Sequence, residues 1–154
     1  MTSFDIRPDR LEDTDVLDLL RLHLDEMHAA SPVCKVHAMP PERLREEDVT
    51  FFAVRHEGRL AAVGALKSLT DTDGELKSMR ASPAFRGKGA GRALLEHLIA
   101  EARARGLGWL GLETGRTEEF ADARRLYKRY GFSECEAFNG YTTDDFSICM
   151  ERKL

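Results

Sequence analysis

The sequence lacks a long apolar run, paired cysteines and any surplus of positive charge, and each lack excludes a class of protein. No hydrophobic stretch approaches the roughly 20 residues needed to cross a bilayer, so no membrane partner is expected. The opening residues, MTSFDIRPDRLEDTD, are charged and have no apolar centre. They do not read as a secretory leader, and a cytoplasmic protein is expected. The net charge of −4 argues against a nucleic-acid partner, whose phosphates require a basic surface. Three cysteines, Cys34, Cys135 and Cys149, stand far apart in the chain and form no C-x-x-C pair. An odd count without a leader fits reduced thiols in a cytosol. His28 and His37 flank Cys34, the raw material of a Cys–His pair, but small packed thiols are the simpler reading. Cys149 sits in the apolar run FSICM and reads as packing. The histidines show no metal-ligand spacing, so no metal is expected. Repeats, low-complexity tracts and linkers are also missing.

What is present suits one globular domain spanning residues 1–154. The chain is 42% hydrophobic and 32% charged, and is long enough for a sizeable core. Phe4 to Arg7 reads as a strand stopped by Pro8. Asp13 to Ala30 reads as a helix, with Val16, Leu19, Leu20, Leu24 and Met27 at helical spacing behind an acidic first turn. Pro32, Pro40 and Pro41 make a loop of Ser31 to Pro41, and a brief helix follows at Glu42 to Glu47. Thr50 to Arg55 and Leu60 to Leu69 form a hairpin about Glu57-Gly58. Glu75 to Ala81 is a further strand after the turn Asp71-Thr72-Asp73-Gly74. A helix from Gly89 to Arg105 ends at Gly106. Trp109 to Glu113 is a strand, Glu118 to Tyr130 a helix and Phe146 to Arg152 the last strand, with room for another near Phe132 to Ala137. Helix and strand alternate only in the second half. This points to an α/β (α+β) protein with a mixed sheet and helices on both faces.

The most informative stretch is MRASPAFRGKGAGRALL, residues 79 to 95. Arg86-Gly87-Lys88-Gly89-Ala90-Gly91 sets three glycines among the basic side chains of Arg86, Lys88 and Arg92. Glycine lets a backbone come close to a ligand. The helix that follows starts with amides that have no partner within the helix and a dipole that favours anions. Such a loop is a phosphate cradle. It is not a P-loop, because Gly87-Lys88 is followed by Gly89 rather than Ser or Thr. It is not a dinucleotide fingerprint either, because the third glycine position is Arg92.

What remains, R-x-x-G-x-G over Arg86, Gly89 and Gly91, resembles the coenzyme A loop of the GNAT acetyltransferase superfamily. Pro83 and Phe85 precede it, and Leu126-Tyr127-Lys128-Arg129-Tyr130-Gly131-Phe132 is similar to that superfamily's L-Y-x-x-x-G-F signature. The resemblance covers roughly residues 4 to 152 and is nearest to small bacterial proteins of the YsnE type. It implies the GNAT acyl-CoA N-acyltransferase fold, a mixed, mostly antiparallel sheet whose central strands splay apart, here Glu75–Ala81 and Trp109–Glu113. It further implies acetyl-CoA as cosubstrate, lying in that wedge, and transfer of its acetyl group to a primary amine by direct attack in a ternary complex. The pyrophosphate is expected on the amides around Gly87, Gly89, Gly91 and Arg92. The Arg86, Lys88 and Arg92 side chains either meet phosphates or are solvated. Met79 and Ala81 are expected to pair with the pantetheine arm, and the backbone near Met79 to supply oxyanion donors.

Acyl transfer to an amine needs a proton acceptor for the ammonium and a proton for the departing thiolate. The resemblance assigns the first role to Glu75, with Glu113 on the neighbouring strand as competitor. It assigns the second to Tyr127. One departure stands out: the position of the family's pantetheine-binding asparagine is Phe120, so Thr114 or backbone must serve instead. The run Arg124, Arg125, Lys128 and Arg129 reads as a solvated helix face. The acceptor side falls to Met27–Pro41 and Phe138–Phe146, with His28, His37, Asn139, Tyr141, Asp144 and Asp145. These residues suit a small-molecule amine or a peptide N-terminus and do not choose between them. A homodimer is a family-level implication. Two other readings stay open, a coenzyme A-binding sensor without turnover and a regulator using the loop for ATP or NAD.

Overall fold

A computed structural model describes residues 3–30, 40–141 and 143–154. In chain order the elements are β1 (Asp5–Pro8), α1 (Thr14–Ala30), α2 (Pro41–Leu44), β2 (Val49–His56), β3 (Arg59–Ser68) and β4 (Asp73–Ala81). They continue with α3 (Ala90–Ala104), β5 (Trp109–Gly115), α4 (Ala121–Arg129), β6 (Ser133–Cys135) and β7 (Ser147–Lys153). All seven strands join one sheet in the order β1-β2-β3-β4-β5-β7-β6. Every neighbouring pair is antiparallel except β4–β5. The extra strand expected near Phe132 is β6, three residues long. The helix expected from Glu118 opens with a 3₁₀ turn over Glu118–Phe120, and α4 starts only at Ala121. At that turn the Phe120 ring packs onto Gly115, where a Cβ would meet it at 2.2 Å.

Strand alternation sends side chains to two cores. Phe51 and Ala53 of β2 join Val63 and Ala65 of β3 against Val16, Leu19 and Leu20 of α1 and Leu44 of α2. Phe52 and Val54 face the other way, with Leu66, Leu76, Leu110, Leu112, Ile148 and Met150, against Leu94, Leu95, Leu98 and Ile99 of α3. The helical spacing of α1 and α3 thus buries one stripe of each on opposite sides of the sheet. Among the described residues, no helix is long and apolar enough to cross a membrane.

The sheet is pinched and then split at its centre. β4 and β5 pair in parallel only at Asp73↔Trp109, Gly74↔Leu110 and Glu75↔Gly111. Past that point β5 stays with β7 as far as Gly115↔Ser147, while β4 follows β3 as far as Ala62↔Ala81. A bulge turns β4 away. The register jumps from Ala65↔Lys77 to Val63↔Arg80, so Ser78 and Met79 both stand opposite Gly64. Ser78 takes φ 55°, a left-handed conformation uncommon for non-glycine residues. Gly64 leaves room for this: a Cβ there would lie 2.5 Å from Met79 Sδ and 2.8 Å from Leu94 Cδ2.

Candidate active site

A cavity of about 760 Å³ lies beside the split, walled by the end of β4, the turn into α3, the last turns of α1 and the start of α4. Met79, Ala81, Arg86, Gly87, Gly89, Gly91, Arg92 and Tyr127 all line it. The structure therefore brings together seven of the eight residues expected to hold a cofactor with the expected proton donor. Lys88 is the eighth and does not line the cavity. Its ammonium lies 5.8 Å from the centre of the Phe85 ring, and its amide donates to Phe85 O at 3.2 Å.

The backbone around this cavity presents unused polar groups. Ser82 N donates to Ala61 O at 2.8 Å. By the alternation of an antiparallel ladder, the peptide groups of Ala81 and Met79 then point away from β3, into the split. After a 3₁₀ turn over Pro83–Phe85, Gly87 and Gly89 take φ of 72° and 89°, and α3 begins at Ala90. The amides of Gly87, Gly89, Ala90, Gly91 and Arg92 meet no acceptor among the described residues. Gly91 has neither a positive φ nor a crowded Cβ position, since its nearest neighbour would be Leu126 Cδ2 at 3.8 Å. The fold does not require glycine there, whereas close approach of a ligand would. The Arg92 side chain is engaged within the protein, donating to Tyr130 Oη at 2.8 Å and to Glu96 Oε1 at 3.3 Å. Arg86 is largely exposed and lies 3.8 Å from Glu26, which also pairs with Arg80.

A smaller cavity of about 100 Å³ lies beside the first, and His23, Met27, Met79, Phe120, Ala123 and Tyr127 border both. Glu75, Lys77, Glu113, Thr114 and Tyr141 form most of the polar part of its remaining wall. The Tyr127 ring is buried against Phe132, and no partner meets its hydroxyl among the described residues. Burial pushes the phenol up to about 12, so at neutral pH it keeps its proton and is a donor facing open space.

Glu75, 1% exposed, sits at the last paired position before the split. Lys77 Nζ donates to its Oε2 at 3.2 Å, Asn139 Nδ2 to its Oε1 at 3.0 Å, and the Tyr141 hydroxyl to Oε2. Lys77 also donates to Tyr141 Oη at 2.5 Å. Burial, and next the neighbouring Glu75, hold the Tyr141 phenol well above its usual range. The loop between β6 and β7 is seated by rings: Phe138 lies edge-on to Trp109 at 5.0 Å and to Tyr141 at 5.5 Å. Gly111 gives the Phe138 ring its seat, where a Cβ would meet Cζ at 2.6 Å.

Asn139 and Tyr141 were anticipated on the acceptor side, but their convergence on Glu75 was not. Asp144 instead caps the turn into β7, its Oδ1 accepting from Phe146 N at 2.8 Å and Ser147 N at 3.0 Å. Cys34 and His37 lie outside the described residues. Arg124 corrects the reading of a solvated basic face: it donates to Gly115 O at 2.7 Å and Thr117 O at 2.8 Å, fixing the end of β5. Sequence reasoning missed Lys77, although its position two residues after Glu75 places it on the same strand face. It also missed His23. That ring is buried, its Nδ1 has no partner among the described residues, and desolvation, reinforced by Arg80, lowers it to about 4. Only the packing of α1 over the split reveals it.

Four similarities, to one family profile and three proteins, bear on this geometry. The profile of the acetyltransferase (GNAT) family matches residues 16–132. The uncharacterised N-acetyltransferase YsnE of Bacillus subtilis is 41% identical over 149 residues, 97% of this chain and 99% of that one. The crystal structure of the Escherichia coli ribosomal-protein-S18-alanine N-acetyltransferase superposes with a TM-score of 0.69 at 28% identity, covering 98% of this chain and 94% of that one. An Elizabethkingia anophelis GNAT-family structure with acetyl-CoA bound shares the fold, with a TM-score of 0.69 at 16% identity over 98% of both chains.

Proposed function

This chain belongs to the acetyltransferase (GNAT) family, and on that premise we propose that it moves the acetyl group of acetyl-CoA directly to a primary amine in a ternary complex. The observation that carries the reading is the row of amides at Gly87, Gly89, Ala90, Gly91 and Arg92 that, like the Tyr127 hydroxyl on the same cavity, meet no partner among the described residues. Free amides at a helix start suit a pyrophosphate. The outward peptide groups of Met79 and Ala81 suit an extended amide-bearing arm laid along β4 as an added strand. Acetyl-CoA supplies an activated acyl group with a thiolate as leaving group.

The protein's own groups then divide the proton traffic. Tyr127 donates to the thiolate as it leaves; a phenol this hard to ionise is a weak acid, but a basic thiolate draws on its hydrogen bond. Glu75 receives the proton that the acceptor loses, either at the small cavity it lines or through the Tyr141 hydroxyl bonded to it. Glu113 borders the same cavity and is the competing acceptor. The acceptor enters between the end of α1 and the β6–β7 loop. It is a small amine or a peptide N-terminus, the latter being the substrate class in the name of the S18-alanine relative. The cytoplasm, where acetyl-CoA is available, is the proposed site of action.

Release of free thiol from acetyl-CoA, measured against a panel of amines and N-terminal peptides, tests the reading. Amine-dependent release that is lost in Glu75→Gln supports it. Release that survives Glu75→Gln but not Glu113→Gln moves the base to Glu113. Tight acetyl-CoA binding with no release for any amine overturns turnover and leaves a coenzyme A-binding module.

A further inference from the structure

Cys135 and Cys149 are fourteen residues apart in the sequence but stand directly opposite each other in the β6–β7 ladder. Opposed residues on antiparallel strands share a face, with Cα atoms about 4.5–5.5 Å apart, inside the roughly 4.4–6.8 Å that a disulfide spans. Their Cβ atoms are typically about 4.5–5.5 Å apart, against about 3.5–4.5 Å in a disulfide. Closure thus asks for a shift of about an ångström. β6 can supply it, being a three-residue strand at the sheet edge that pairs with β7 alone. Both thiols are free, Cys149 buried and Cys135 half-buried.

We propose that Cys135 and Cys149 form an oxidation site that a small disulfide, such as glutathione disulfide, converts to an intramolecular disulfide. The more accessible Cys135 attacks first, as thiolate, breaking the S–S bond of the small disulfide and releasing one thiolate. Cys149 then loses its proton and displaces the second small thiolate from the Cys135 sulfur. Two protein thiols are oxidised, one small disulfide is reduced to two thiols, and the two protons end on those thiols. The new bond closes a ring over residues 136–148, which holds Asn139 and Tyr141, the loop partners of Glu75. Oxidation therefore clips the loop that walls the small cavity.

The surroundings set the rate. Burial, then Glu151, Cys149 and the flanking Glu134 and Glu136 push the Cys135 thiol up to about 11. Burial also raises Cys149. Thiolate is scarce at neutral pH, so closure is slow there and accelerates as pH rises.

The test incubates the full chain with glutathione disulfide at pH 7 and pH 8.5. The expected result is a fall in titratable thiols from three to one and a mass loss of about 2 Da, with one peptide joining Cys135 to Cys149. Dithiothreitol should reverse all three, and hydrogen exchange of residues 136–146 should slow in the oxidised form. A Cys34→Ser chain should fall from two thiols to none, whereas Cys34→Ser/Cys135→Ser should show no 2 Da loss. A persistent glutathione adduct on Cys135, a disulfide-linked dimer or an unchanged thiol count at pH 8.5 would each overturn the site. An intramolecular bond with unchanged loop exchange would overturn the clip.

Discussion

Tyr127 is a buried phenol whose hydroxyl meets no partner among the described residues, and that combination makes it the most direct single-residue test. Tyr127→Phe keeps the ring against Phe132 and removes only the hydroxyl. Turnover should fall roughly 10²-fold or more, as for loss of a positioned proton donor, while the acetyl-CoA dissociation constant changes less than threefold. Equal losses in both would make Tyr127 a binding residue. Because its folded value is raised, Tyr127 favours the native state up to about pH 10, and that contribution is lost as pH climbs towards 12. His23 works in the opposite direction. Its folded value, about 4, lies below the ordinary 6.5, so the unfolded chain binds the proton more tightly. Stability from this group is complete above about pH 6.5 and is lost as pH falls towards 4, a difference of roughly 3 kcal/mol. Urea denaturation between pH 7 and pH 4 should show this loss, and His23→Gln should flatten it. Lys77 and Glu75 form the third case, a buried pair. Lys77→Met should cost about 3–5 kcal/mol by leaving a buried carboxylate without its cation. Adding Glu75→Gln should recover much of that loss, a coupling that equilibrium unfolding of the double mutant would expose.

At the scale of elements, the turn into α3 separates what the fold needs from what a ligand needs. Gly89 has φ 89°, so Gly89→Ala should destabilise the chain by about 1–2 kcal/mol as well as weaken acetyl-CoA binding. Gly91 lies inside the helix, where a Cβ would make only an ordinary contact with Leu126 Cδ2 at 3.8 Å. Gly91→Ala should leave stability unchanged or raise it by up to about 1 kcal/mol. Even so, it should weaken acetyl-CoA binding at least tenfold, because the added methyl blocks close approach to the amides. Calorimetric binding and thermal melts on both variants give the two readouts separately. If Gly91→Ala binds acetyl-CoA normally, the pyrophosphate is not seated on this turn. The bulge at Ser78–Met79 is the other decisive element. It rests on Gly64, whose missing side chain leaves the space that Met79 and Leu94 fill.

For the whole molecule, the wedge between β4 and β5 should behave as a binding site for one cofactor class. At a hundredfold excess over its dissociation constant, acetyl-CoA should stabilise the chain by about 2.7 kcal/mol, raising the Tm by roughly 5–10 °C for a protein of this size. ATP and NAD, which lack the pantetheine arm that would lie along Met79 and Ala81, should raise it far less. A larger shift with ATP than with acetyl-CoA would reassign the cavity. The sheet explains why the arm matters: β4 loses its β5 neighbour after Glu75, leaving a row of backbone groups that a ligand strand would pair.

Much of this architecture could be read from residue order, because its causes are local. Helical spacing in α1 and α3, alternation in β2 and glycines at the turn after Phe85 each act within a few neighbouring residues. The turn into α3 and the place of Tyr127 on α4 were legible for that reason. Tertiary structure decided what depends on elements distant in sequence. It brought Asn139 and Tyr141 across to Glu75, engaged Arg92 with Tyr130, turned Arg124 onto the end of β5, buried His23 over the split and set Cys135 opposite Cys149. Polar partnership and strand register depend on which chain segments meet, and no periodicity within a single segment encodes that.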